Sequence, residues 1–129
     1  MNHTGTIPVH SDLAINDSIA FYHKIGAERK EARLRYLQQY WTSKVRDIPD
    51  IVMNTPADPQ RACAIANVGI RGMKPGVLAE TLLKKYKVYT VAIDSANVHG
   101  CRITPNIFTT VAELDILVNA LKEMGKASV

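Results

Sequence analysis

The chain has 129 residues, 47% hydrophobic and 22% charged, an ordinary globular composition with enough length for one domain and its own core. The net charge is +4, but sixteen Lys and Arg are interleaved with twelve Asp and Glu, and the densest cluster, "AERKEARLR" at 27–35, is a mixed helix face, so a nucleic-acid partner is not expected. No apolar run reaches the roughly 18 residues that span a bilayer, and "MNHTGTIPVHSD" lacks the basic and apolar regions of a signal peptide; a cytoplasmic protein without a membrane partner is expected.

After an extended lead containing Pro8, Ser11 or Asp12 is placed to cap a helix on which Ile15, Ile19 and Tyr22 recur, ending near Gly26. A longer helix follows over 27–46. Its apolar stripe is Leu34, Leu37, Trp41 and Val45, its charged positions from Glu28 to Arg35 are mostly solvated, and Pro49 stops it. The period then changes. "IVMNTP" (51–56) and "ACAIANVGI" (62–70), joined across Asp58-Pro59, read as neighbouring antiparallel strands, with Ala62, Ala64 and Ala66 leaving room for a helix against one side. Pro75 opens a third helix carrying Leu78, Leu82, Leu83 and Tyr86. "KVYTVAI" (87–93) and "GCRIT" (100–104) are strands on either side of a polar hairpin loop through Asp94 and Asn97. The spacing of Thr110 and Glu113 is that of a capping box. It opens a helix whose inward stripe is Leu114, Leu117, Val118 and Leu121, with Gly125 beyond its end. The fold class is therefore α+β: a small, mostly antiparallel four-stranded sheet with helices packed on one face, two N-terminal helices and a C-terminal helix.

Cys63 and Cys101 form no CxxC, have no Cys or His at metal-ligand spacing, and read as free buried thiols of a reducing compartment. The histidines at 3, 10, 23 and 99 are scattered, so neither a metal site nor a His-based triad is expected, and only His99 stands near a candidate site. That candidate is Arg102. An arginine inside a short apolar strand must have its charge paired or hydrated. Its fork suits bidentate binding of a carboxylate; an edge-strand arginine paired with a surface Asp or Glu is the alternative. Cys101, on the opposite side of the strand, is poorly placed to share a site with it. "RGMKPG" (71–76) has no phosphate-loop pattern and turns the chain into the third helix.

Taken in order and spacing, "IGAERKEARLRYLQQYW", "MNTPADPQRACAIANVGI", "LLKKYKVYTVAI" and "CRITPNIFTTVAELDILVNAL" resemble the C-terminal small domain of class V aminotransferase-like enzymes. These are the fold-type I pyridoxal-phosphate proteins that include isopenicillin N epimerases, cysteine desulfurases and selenocysteine lyases. The resemblance covers nearly the whole chain. It implies that residues 1–26 are a lead and linker helix from a missing large domain and residues 27–129 the small domain. It further implies that Arg102 binds the α-carboxylate of an amino-acid substrate, and that Thr6 contacts the phosphate of pyridoxal 5'-phosphate across a homodimer. "DSANVHG" carries no cysteine where desulfurases hold their persulfide-forming thiol, which argues against that activity. The family's imine-forming lysine and pyridine-nitrogen aspartate belong to the large domain, so the 129-residue chain is expected to bind no cofactor and to be inactive alone. The alternative is an independent α+β ligand-binding or interaction module whose basic helix meets an acidic partner.

Overall fold

The computed structural model describes residues 9–126. Their elements run α1 (Val9–Ile25), α2 (Ala27–Val45), β1 (Ile51–Met53), β2 (Ala66–Ile70), α3 (Pro75–Tyr86), β3 (Val91–Ser95), β4 (Val98–Ile103) and α4 (Val111–Lys126), the order expected. Lys30 closes a first compact unit and Glu31 opens a second.

In the first unit, α1 starts at Val9, earlier than a cap at Ser11 or Asp12 would allow. Asp12 instead lies in the first turn, where a carboxylate faces the unpaired N–H groups and positive end of the helix. Gly26 ends the helix in the left-handed conformation, φ 85°, which a residue without a β-carbon adopts at little cost. Its N–H donates to the Tyr22 carbonyl at 3.1 Å, and its own carbonyl accepts from Lys30 N. Leu13, Ile15, Ile19, Phe21 and Tyr22 are exposed along α1.

The second unit is built on a sheet of order β1-β2-β4-β3, antiparallel at every pairing. From β2 the chain crosses through α3 to the far edge, forms β3, and returns in β4 between β3 and β2. That return is a two-residue hairpin: Ser95 pairs with Val98, while Ala96 and Asn97 take φ 51° and 63°, the doubly left-handed turn that matches strand twist. Ile51, Ala66, Val68, Ile70, Cys101 and Ile103 are buried on one face, with Leu37, Trp41 and Val45 of α2, Leu78 and Leu82 of α3, and Leu114, Leu117, Val118 and Leu121 of α4. Each large side chain removed from water in this way contributes about 1.5–3 kcal/mol. A Tyr40, Lys44 and Asp115 cluster ties α2 to α4, with Tyr40 Oη donating to Asp115 Oδ1 at 2.8 Å and Lys44 Nζ donating to the same oxygen at 2.8 Å.

The capping box forms as read. Thr110 N and Oγ1 donate to Glu113 Oε2 at 2.7 and 2.8 Å, and Glu113 N returns a bond to Thr110 Oγ1 at 3.2 Å. Pro75 opens α3. Elsewhere the structure corrects the expectation. The second strand begins only at Ala66 because Arg35 of α2 donates to the carbonyls of Pro59 and Ala62 at 2.6 and 2.5 Å, holding that segment off the ladder; Arg35, half-exposed like Lys30, makes these bonds while Glu28, Arg29 and Glu31 stay exposed. The third strand begins at Val91 because Lys87, φ 60°, closes α3, with Lys87 N donating to Leu83 O and Val88 N to Leu82 O. Leu83 is exposed. Gly125 lies inside α4, buried, and an added β-carbon there would stand 3.4 Å from Ile48 Cγ2. Cys63 is exposed, and only Cys101 is buried.

Candidate functional site

Strand alternation sorts β4 into two sets of side chains. Cys101 and Ile103 enter the core, whereas Arg102 points to the opposite face and is exposed. The strand carrying it is an inner strand, flanked by β2 and β3, so the edge-strand alternative does not hold. Arg102 stands directly opposite Asn67 in β2 and Val91 in β3. Among the described residues its guanidinium makes no hydrogen bond or ion pair. Arg33 and Arg46, by contrast, are engaged: Arg33 Nη2 donates to Thr109 O at 3.0 Å and Arg46 Nη2 to Thr55 O at 3.1 Å. An unpaired guanidinium on a rigid inner strand is a ready receptor for an anion, and its planar fork matches a carboxylate.

Two asparagines that sequence reasoning missed lie to one side of it, Asn67 directly opposite and Asn54 beyond Asn67. Asn54, just past β1, donates from Nδ2 to Asn67 Oδ1 at 2.7 Å and to the His99 carbonyl at 3.1 Å. Asn67 N donates to Thr55 Oγ1 at 2.8 Å, and Asn54 N to Asn67 O at 3.1 Å. A β-carbon on Gly100 would stand 2.5 Å from Asn67 Oδ1 and 2.5 Å from the Val68 carbonyl; the glycine leaves the space that the amide occupies. The available signal was Asn67 itself, a residue depleted in strands, set between inward-facing Ala66 and Val68.

His99 is near Arg102 in sequence but joins a different group. Its Nδ1 lies 2.5 Å from Asp94 Oδ1, both side chains exposed, beside a cleft of about 390 Å³ that Asn54, Arg71, Lys74 and Pro75 also line. Cys101 is sealed in the core, its Sγ donating to Pro75 O at 3.5 Å, and burial pushes its thiol pKa up, the reverse of what a reactive thiol needs. Thr6 lies outside the described residues. The described residues hold no group of three or more His, Cys, Asp or Glu suited to a metal ion, and no described helix is long and apolar enough to cross a membrane.

The lysines with shifted pKa values are unlike an imine-forming amine, which must be held partly neutral. Lys44 is raised by its bonds to Asp115 and Tyr40, Lys84 by Glu80, and Lys85, bonded to Glu123 and Tyr86, is pushed up to about 12. Each of these three amines is thus held in its charged form by an acidic partner.

The family model for aminotransferase class-V matches residues 1–116. No curated protein gives a significant match. Among solved structures the chain is similar to a cysteine desulfurase from Thermococcus onnurineus NA1, with TM-score 0.83, 14% identity, and coverage of 95% of this chain and 32% of that one. It is also similar to a cysteine desulfurase from Escherichia coli, with TM-score 0.79, 16% identity and coverage of 97% and 32%. An alanine–glyoxylate aminotransferase from Nostoc sp. gives 0.71, 16%, 94% and 32%. The chain spans about a third of the length of each of these proteins.

Proposed function

Because the chain belongs to the class V aminotransferase family, we propose that it is the C-terminal small domain of a pyridoxal-phosphate enzyme acting on an amino acid, in which Arg102 holds the substrate α-carboxylate. The observation that carries this reading is the exposed guanidinium of Arg102, without a partner among the described residues, on an inner strand. A structural arginine satisfies its donors within the fold; a substrate clamp leaves them for the ligand. Residues 1–26 are the lead and linker to a larger domain that supplies the cofactor lysine, and Thr6 reaches the cofactor phosphate across a cytoplasmic homodimer. The chain alone carries out no reaction.

Within this family the chain fits an aminotransferase, epimerase or lyase better than a desulfurase. The connection between β3 and β4 is only Ala96-Asn97, with no loop on which a sulfur-carrying cysteine would reach a substrate. The interaction-module alternative gains no support from α2, whose Arg33 and Arg35 bond to backbone carbonyls of this chain instead of standing free for an acidic partner.

Expression of the complete reading frame that contains this segment tests the reading. A longer protein is expected that carries pyridoxal-phosphate absorbance, lost on substituting one lysine outside these 129 residues. Stoichiometric cofactor bound by the 129-residue chain alone, abolished by substituting one of its own lysines, would overturn it.

A further inference from the structure

We propose that Asn67 is the second half of the carboxylate clamp, donating from Nδ2 to the same anion that Arg102 holds. This rests on the assignment of Arg102 to a carboxylate and adds to it a second donor with a fixed orientation.

The orientation follows from a chain of hydrogen bonds that begins at the backbone. The His99 carbonyl can only accept, so the Asn54 atom 3.1 Å from it is Nδ2. The same Nδ2 lies 2.7 Å from the Asn67 side chain, and a donor there requires Asn67 to present Oδ1. Asn67 Nδ2 is thereby turned away from Asn54, and among the described residues it has no acceptor. Oδ1 of Asn67 occupies the space over Gly100, where a β-carbon would approach to 2.5 Å. Asn67 and Arg102 are directly opposed across the β2–β4 ladder, and such pairs have β-carbons about 4.5–5.5 Å apart on one face. Two N–H donor groups, one charged and one neutral, therefore stand side by side on the same surface with their hydrogens unspent. The pair fits one planar carboxylate, with Arg102 supplying the charge and Asn67 a directional bond. Asn54 is the positioning residue that keeps the Asn67 oxygen, which would repel an anion, turned toward Asn54 Nδ2.

The test is an acetate titration of the 129-residue chain at constant ionic strength, followed by nitrogen-edited NMR of the Asn side-chain NH2 groups and the Arg Nε–H groups. Saturable shifts are expected for Asn67 Nδ2–H2 and Arg102 Nε–H together, with binding lost in Arg102→Gln. Asn67→Leu should weaken acetate about 3- to 10-fold, the range for one net hydrogen bond, and Asn67→Asp should weaken it further. Asn54→Ala, which leaves Asn67 intact, should reduce the Asn67 NH2 shift and weaken binding less than Asn67→Leu. Backbone spectra report whether each variant keeps the fold. If Arg102→Gln abolishes binding while Asn67→Leu binds as the parent does and the Asn67 NH2 stays still, the second donor is wrong and the Arg102 assignment stands. If acetate does not saturate, or Arg102→Gln binds it unchanged, the Arg102 assignment fails and this inference with it.

Discussion

Gly100 and Asn67 share one space across the β2–β4 ladder: the amide oxygen of Asn67 sits where a β-carbon of residue 100 would come within 2.5 Å. The Val68 carbonyl is equally close, and Gly69 faces the His99 carbonyl at 2.7 Å on the same terms. Gly100→Ala is therefore expected to push on backbone that cannot yield and to cost about 1–3 kcal/mol, as overpacking does. Gly76, in the first turn of α3 with nothing within 4 Å of an added β-carbon, is the contrast. Gly76→Ala should stabilise by roughly 0.5–1 kcal/mol. Urea unfolding of both variants checks the pair, and equal effects would refute the packing argument.

At the start of α4 the reciprocal bonds of Thr110 and Glu113 give a second prediction. Thr110→Ala removes the cap and should cost about 1 kcal/mol. The same bonds, first from Thr110 N and then from its hydroxyl, lower the Glu113 pKa below the ordinary carboxylate value. A carboxyl with a depressed folded pKa contributes stability that is fully present above its unfolded pKa, about 4.3, and lost as pH falls through the folded value. Acid titration of stability should thus be shallower in Glu113→Gln over that window. An unchanged slope would show that the box adds nothing in solution.

The two cysteines should separate kinetically. Cys63 is exposed, and Cys101 is buried with its thiol pKa raised by desolvation. An aromatic disulfide reagent should modify Cys63 rapidly in the native chain and Cys101 only at the rate of opening or unfolding. Two thiols reacting at one fast rate would place Cys101 outside the core.

Legibility in the sequence followed the range of the interactions. The capping box, Pro75 at the head of α3, and the alternation of Cys101, Arg102 and Ile103 are settled within a few residues, and each was readable. The starts of β2 and β3 were not. Arg35 holds the carbonyls of Pro59 and Ala62 from 24 and 27 positions away, and Lys87 takes a left-handed conformation that a lysine does not advertise. Arg102 declared itself as a charge in an apolar strand. Asn67 offered only the weak signal of an asparagine in an apolar strand and Asn54 none, because their pairing depends on strand register and on the missing side chain at Gly100 across the ladder.

The most direct measurement is amino-acid affinity in the complete enzyme proposed to contain this chain, read from the substrate-induced change in cofactor absorbance. Arg102→Ala is expected to weaken amino-acid binding roughly 10- to 100-fold, as loss of a charge-assisted pair of about 1.5–3 kcal/mol does, with cofactor content and thermal stability unchanged. Arg102→Lys should recover only part, since it keeps the charge and loses the fork. Unchanged affinity in Arg102→Ala, or unfolding of the domain with affinity per folded molecule preserved, would contradict the carboxylate role.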